Sequence, residues 1–301
     1  MKKIYVLDGS GFLYRAWHAF RSMSNTQNDT VTMVYGFFRM IIKLLMEKPD
    51  NLIIVWDAHG KTVRHEKFEW YKANRPPMPD EFGQQIKQCK ELAPRLGITT
   101  VEQLGYEADD IIYTIARQEG EKMRDRADHD CLIVYTGDKD IKQILEYPCV
   151  KIHDPMKDEV WTKDKFVREF EFEPRNIVDY LALLGDASDN LPGARGIGVK
   201  WASELIKKFG SIDTIYNSLD QVPERTRNLL IESKDTVINT RSLIELLEVP
   251  DFQCNIDMSY KPDIPLYKDI FIQELGFKSF EKLLDDLRKE SYFTPQGGLF
   301  G

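Results

Sequence analysis

Apolar positions follow two rhythms along this chain. At 4–7, 52–56 and 132–135 they form short unbroken runs rich in Ile, Val and Leu, the pattern of a strand buried on both faces. At 31–46, 83–96 and 108–117 they recur every three to four positions, which predicts amphipathic helices between those strands. Strands alternating with helices specify an α/β fold, a central, mostly parallel sheet flanked by helices. Beyond residue 165 the strand signal fades, and helical patterns at 166–170, 176–184, 200–209 and 225–233 are separated by Gly and Pro. The expected organisation is an α/β domain over 1–165, a helical region over 166–288 and a flexible tail over 289–301.

The stretch 69–82 interrupts the helical rhythm. Pro76, Pro77 and Pro79 cannot lie in a continuous helix, because each lacks an N–H and its ring clashes with the preceding turn. Basic and aromatic residues precede them, so a loop or helical arch is expected over about 60–95. With 301 residues, 42% of them hydrophobic, the chain can bury a sizeable core. No apolar run approaches the roughly 20 residues needed to cross a bilayer, and the opening Met1-Lys-Lys-Ile-Tyr-Val-Leu-Asp8 meets an acid before a signal-peptide core forms. A cytoplasmic protein is expected. Cys89, Cys131, Cys149 and Cys254 lie far apart without a CxxC pair, which argues for reduced, mostly buried thiols rather than a zinc site or a disulfide framework.

Charge first argues against a nucleic-acid partner, since the net value is −8 and phosphate binding runs on Lys and Arg. The placement of the acids reverses that reading. Each of the three apolar runs is followed closely by an aspartate: Asp8, Asp57 and Asp138. Glu107 and Asp110 stand three apart at the start of a helical pattern, with Asp109 between them. Asp138 and Asp140 flank a tight turn, and Asp186 and Asp189 form another pair three apart. One aspartate at a strand end or helix start is commonly a cap. Nine acids in five such places point to a site, and their mutual repulsion calls for bound cations. All-oxygen ligands suit Mg²⁺ or Mn²⁺. Two such ions about 4 Å apart can activate a water and stabilise the leaving oxygen of a phosphodiester. Without those nine negative charges the rest of the chain carries about +1, which leaves room for a basic face.

Two stretches could supply that face. Lys61, Arg64, His65, Lys67, Lys72 and Arg75 are interleaved with Phe68, Trp70 and Tyr71, mixing phosphate-binding charge with rings that stack on bases. The alternative for this stretch is a solvated helix face with aromatic feet in the core. The segment Pro192-Gly-Ala-Arg-Gly-Ile-Gly-Val-Lys200 runs into the helical pattern at 200–209, and its glycines would let backbone N–H groups and a helix N-terminus approach a phosphate. It could equally be a tight turn between packed helices.

Taken together, Leu7-Asp-Gly-Ser-Gly-Phe-Leu-Tyr-Arg-Ala16, Trp56-Asp57 with Arg64-His-Glu66, Tyr71-Lys-Ala-Asn-Arg75, Tyr106-Glu-Ala-Asp-Asp110, Thr136-Gly-Asp-Lys-Asp140 and Leu184-Gly-Asp-Ala-Ser-Asp-Asn-Leu-Pro-Gly193, followed by Gly196-Ile-Gly-Val-Lys200, resemble the 5′-nuclease superfamily over residues 1–285. That superfamily includes the 5′→3′ exonuclease domain of bacterial DNA polymerase I, its stand-alone bacterial and phage relatives, and the flap endonucleases. The resemblance implies a PIN-like or resolvase-like core with a helix-hairpin-helix motif in the helical region. It implies that Asp8, Asp57, Glu107, Asp109, Asp110 and Asp138 serve one metal region and Asp140, Asp186 and Asp189 a second. It makes Lys72 and Arg75 the pair that contacts the scissile phosphate, with Tyr14, Arg15 and Tyr71 near the displaced strand and Arg64 in the basic stretch that binds DNA. Gly196, Gly198 and Lys200 would grip duplex DNA at a motif that can also bind K⁺.

The implied activity is cleavage of 5′ flaps, nicks and 5′ ends, RNA–DNA primer junctions included, during replication and repair. Trp56 and Trp201 are bulkier than the family pattern and Leu191 replaces an isoleucine, but no acid of the set is missing. The complete set weighs against a catalytically silent DNA-binding module, and the Gly-Ile-Gly-Val-Lys segment against a ribonuclease. Gln296, Leu299 and Phe300 resemble the short tail motif by which bacterial replication proteins dock on the sliding clamp. The chain ends where polymerase I would continue, so either a stand-alone nuclease or an excised N-terminal domain is expected, the tail favouring the first.

Overall fold

The apolar runs become strands, and every residue within them is buried except the half-buried Ile133. The computed structural model describes residues 2–19, 30–75, 78–123, 131–254, 256 and 260–292. They fall into two compact units whose segments interleave along the chain, one made mainly of 2–54, 78–101 and 255–301, the other of 55–77 and 102–254.

In the first unit the strand order is β3 (Thr99–Val101), β2 (Asn51–Val55), β1 (Lys3–Asp8). β2 is buried along its whole length, which is why its sequence shows no alternation. Helix α1 (Gly9–Ala19) starts directly after β1, and Asp8 Oδ1 accepts the Gly11 N–H at 2.9 Å. Helix α2 (Thr32–Leu45) buries Phe37, Phe38, Ile41 and Ile42 at helical spacing. Its Met33 N–H donates to Gln85 Oε1 on α4 (Asp80–Arg95) at 2.8 Å. Near the end of the chain Phe271, and Phe280 on α13 (Phe280–Tyr292), pack with Phe38 and Tyr35, each ring removing roughly 1.5–3 kcal/mol of apolar surface from water.

The second unit holds β4 (Cys131–Tyr135), β5 (Val150–Asp154) and β6 (Glu159–Trp161). β4 and β5 are parallel, with Leu132 opposite Val150, and β5 and β6 are antiparallel, with Ile152 opposite Trp161. Asp154 Oδ1 accepts the Met156 N–H at 2.8 Å and so helps close the turn between β5 and β6. Helices α5 (Ala108–Met123), α6 (Lys163–Phe170), α7 (Ile177–Leu184), α8 (Val199–Phe209), α9 (Ile212–Asn217), α10 (Glu224–Glu232) and α11 (Lys234–Ile244) belong to this unit as well.

Several expectations shift. The compact units are cut differently from the expected domains, since residues 256 and 260–292 join the first unit while the preceding helices share a unit with β4 to β6. Within the segment 60–95, expected as a loop or helical arch, helices alternate with turns. It contains α3 (Val63–Lys67), a series of turns, and then the regular α4, which starts after Pro79 and buries Phe82, Cys89 and Leu92. Pro79 at the N-cap forfeits an N–H that no helical carbonyl would have taken. Cys89 and Cys131 are buried, but Cys254 is only partly so and Cys149 is exposed. No described helix is long and apolar enough to cross a membrane.

A ribbon of β7 (Gly185–Asp186) and β8 (Leu191–Pro192) carries the loop with Asp186 and Asp189. It depends on two glycines. Gly185 has φ +76°, and a Cβ at Gly193 would lie 2.3 Å from the Leu184 carbonyl carbon. Gly193→Ala is therefore expected to cost about 2–4 kcal/mol, read as a lower urea midpoint. A midpoint equal to wild type would show that the ribbon yields freely.

Candidate active site

Asp57, just past β2, reaches α5 and accepts the Ala108 N–H on Oδ1 at 2.9 Å, satisfying one of the helix's first free donors. This fixes the first turn of α5, which carries Asp109. Glu107, only 8% exposed, takes Lys72 Nζ on Oε1 at 2.9 Å and the Tyr71 hydroxyl on Oε2 at 3.1 Å. Beyond β4, Asp138 Oδ1 accepts the Asp140 N–H at 2.9 Å and holds the turn. Asp186 Oδ1 accepts from the Ser188 N–H and hydroxyl, and its Oδ2 lies 2.8 Å from Lys139 Nζ. Asp189 receives Arg75 at 2.5 Å, with Lys72 at 3.9 Å.

A backbone staple brings the basic stretch to these acids. The Lys72 N–H donates to the Asp189 carbonyl at 3.1 Å, Asn74 Nδ2 to that of Ala187 at 2.9 Å, and Asn190 Nδ2 to that of Trp70 at 2.8 Å. Lys72 and Asn190 both have left-handed backbone, φ +55° and +58°, a conformation that persists where surrounding bonds impose it. A cleft of about 850 Å³ opens beside the staple, lined by Trp70, Asn74, Asp186 and Asn190 among others.

The electrostatics follow from this crowding. Burial disfavours the Lys72 ammonium, yet Glu107, Tyr71 and Asp189 outweigh it and hold Lys72 above its ordinary pKa. Burial would likewise raise Asp186, but the hydrogen bonds from Lys139 and Ser188 bring it below the usual value. Asp140 goes the other way, pushed up to about 7 by burial, then by Asp138, with Asp186 and Asp189 adding to the push and Lys139 opposing it. Its Oδ1 is buried and accepts no hydrogen bond in the protein.

The structure sorts the expected residues. Arg64, expected in the DNA-binding stretch, is turned into the protein. It is 4% exposed, bonds both oxygens of Asp110 at 2.6 and 2.8 Å, and gives its other bonds to the Leu243 and Glu245 carbonyls. Tyr71, also 4% exposed, gives its hydroxyl to Glu107. Asp110 is fully buried and also accepts the Glu107 and Leu247 N–H groups, so both its oxygens are taken by donors. In this arrangement it ties Arg64 to the backbone at Glu107 and Leu247. What Glu107 and Asp110 converge on is the Arg64 guanidinium.

Asp8, Tyr14 and Arg15 belong to the first unit, with Tyr14 48% exposed on α1. Gly196, at φ +80° with space for a Cβ narrowed by Leu229, and Gly198, the N-cap of α8, lie exposed with Lys200. Gln296, Leu299 and Phe300 lie outside the described residues. Sequence reasoning overlooked Lys139, which sits between two acids of a quoted motif, and the amides of Asn74 and Asn190. Their side-chain partners lie far along the chain, so no local pattern marks them.

Among the described residues no three acids stand around one point as a ready metal site. Lysine and arginine side chains bridge them instead, standing in for positive charge that the acids require. The donors are all carboxylate oxygens, and Asp140 Oδ1 is an orphaned acceptor among them, a chemistry that fits a hard divalent cation. Carboxylates at the ends of strands, rimmed by lysine and arginine, define a class of acid-centred sites suited to phosphodiester hydrolysis.

Comparison with known proteins narrows the class. Residues 3–171 match the 5′-3′ exonuclease N-terminal resolvase-like domain, and residues 172–263 the 5′-3′ exonuclease C-terminal SAM fold. The chain belongs to the 5′-3′ exonuclease family. It is 35% identical to a 5′-3′ exonuclease of Aquifex aeolicus, over 97% of this chain and 98% of that protein. It is 33% identical to the thermostable DNA polymerase I of Thermus thermophilus over 81% of this chain, which spans only 28% of that polymerase. The bacteriophage T5 D15 flap endonuclease, crystallised as a pseudo-enzyme-product complex with DNA and metal ions, shares the fold, with TM-score 0.66 at 20% identity over 96% of this chain and 99% of that one.

Two outcomes are expected. Arg64→Ala leaves the Asp110 carboxylate buried and unpaired, which should cost about 3–5 kcal/mol in chemical denaturation; a loss typical of a surface arginine would reject the buried pair. For Asp140 the folded protein holds the proton more tightly than the unfolded chain. In metal-free buffer its contribution to stability is therefore lost as pH rises from 3.8 to about 7. Asp140→Asn should flatten that decline in melting temperature, and parallel pH profiles for the two proteins would contradict it.

Proposed function

We propose that this chain is a structure-specific 5′→3′ exonuclease and 5′-flap endonuclease that hydrolyses DNA phosphodiester bonds during replication and repair. The observation that carries the reading is Asp140 Oδ1, buried and without a hydrogen-bond donor, among acids whose charges Lys72, Arg75 and Lys139 otherwise meet. Asp138, Asp140, Asp186 and Asp189, with Asp8, Asp57, Glu107 and Asp109, are the ligands proposed for two ions of Mg²⁺ or Mn²⁺. Bound there, such ions would lower the pKa of an attacking water and stabilise the leaving oxygen.

The protein's own groups do the rest. Lys72 and Arg75, poised on Glu107 and Asp189, are placed to turn toward an entering phosphate and balance the charge that develops on it. The staple through Asn74 and Asn190 keeps them within reach of the acids. Tyr14 and Arg15 would meet the displaced strand. The exposed Gly196, Gly198 and Lys200 at the start of α8 would hold duplex phosphates without reading sequence, and carbonyls of that loop are the proposed place for K⁺. Flaps, nicks, 5′ ends and RNA–DNA primer junctions are the proposed substrates, the cytoplasm the proposed compartment, and the tail bearing Gln296, Leu299 and Phe300 a proposed tether to a sliding clamp.

Cleavage of a 5′-labelled flap DNA beside matched duplex and single strand, each with Mg²⁺, Mn²⁺ or EDTA, tests the reading. Cutting near the flap junction is expected with metal and none with EDTA. Asp186→Ala should lose about 10²-fold or more in turnover with its fold intact, and Lys72→Ala should slow turnover far more than it weakens binding. Tight flap binding without cutting under every metal would replace the enzyme with a DNA-binding module.

A further inference from the structure

The first unit contains a cavity of about 640 Å³ that none of the nuclease chemistry uses. Its size suits a small-molecule ligand. Four cations, Lys48, Lys261, Lys268 and Arg288, line it against one acid, Asp263, in a chain whose net charge is −8. The acid is already engaged, since Asp263 Oδ1 accepts the Leu266 N–H at 3.2 Å at the start of helix Ile264–Lys268. Lys268 is held by Asp285 at 2.7 Å. Lys261 and Arg288 have no carboxylate within ion-pair distance among the described residues.

The remaining wall is largely apolar. Leu45 and Ile264 are 4% and 7% exposed. The Tyr260 hydroxyl donates to the Leu96 carbonyl at 3.0 Å and also meets the Tyr267 hydroxyl, so its polar end is spent and the ring is fixed in place. A cavity with cations on one side and a fixed ring with aliphatic neighbours on the other complements a flat apolar body that carries an anion.

We infer that this cavity binds a nucleoside 5′-phosphate, its phosphate toward Lys261 and Arg288 and its base toward Tyr260 and Ile264. The ligand is either a free mononucleotide or one unit of a single strand. The choice of a nucleoside rests on the proposed nuclease function; the anionic, ring-bearing class rests on the cavity alone.

Binding of dAMP, inorganic phosphate, deoxyadenosine and a short single-stranded oligonucleotide is measured by calorimetry on the full chain carrying Asp186→Ala, in EDTA, so that nothing is cleaved. The same ligands are then tested with Lys261→Glu and Arg288→Glu added, both at exposed positions where the fold should be unaffected, as melting temperature checks. The inference expects dAMP to bind at least about tenfold tighter than phosphate or deoxyadenosine, and the double reversal to weaken it by about tenfold or more. Loss of oligonucleotide binding in the double variant, with no dAMP binding in either protein, assigns the cavity to a strand. Phosphate binding as tight as dAMP, or affinities that the double reversal leaves unchanged, overturns it. No turnover is needed, so a failure of flap cleavage with dAMP binding intact would reject only the nuclease reading.

Discussion

Carboxylates crowded together repel, and the second unit is arranged around that repulsion. Two like charges 4 Å apart near a protein surface cost roughly 4 kcal/mol, and Asp138, Asp140, Asp186 and Asp189 all act on one another's neighbourhood. The protein meets the cost unevenly. Lys139 neutralises Asp186, and Lys72 and Arg75 neutralise Glu107 and Asp189. Asp140 is left with a raised pKa and an unbonded oxygen. A site so balanced holds its acids together through the protein's own cations.

The frame that bears this load is the Arg64–Asp110 pair. The guanidinium joins α3 to the first turn of α5 and to carbonyls at the C-terminal end of α11. Because all these groups are buried and bonded, they define one arrangement rather than many. The turn that carries Glu107 and Asp109 is thereby fixed from behind, while the staple of Lys72, Asn74 and Asn190 fixes the basic residues from the front. Rigid support of this kind is what a site needs if charge is to be stabilised without reorganisation.

Positive charge serves different ends in the two units. In the second it balances acids inside the protein. In the first, around the cavity of Lys261 and Arg288, it exceeds the acids nearby, and only charge left over in this way can attract an anion from solution. A net charge of −8 conceals both arrangements, because it sums an acidic centre with surfaces of the opposite sign.

The strands β1, β2 and β4, the helices α2, α5, α7 and α8, and the acids that follow the strands were legible in the sequence, because apolar periodicity and residue type are local properties. The short β6 and the alternating, charged β5 were not, since too few residues carry a pattern there. Roles within the site were decided by the tertiary structure. Asp109 and Asp110 are adjacent and chemically alike, yet Asp110 meets Arg64 from 46 residues away and Leu247 from 137, and so becomes a buried support. Arg64 and Tyr71 look like DNA contacts beside Lys72 until burial removes them from solvent. Sequence states which charges a chain owns; only the fold decides which are spent on one another and which remain for a ligand, because that depends on partners no local pattern can specify.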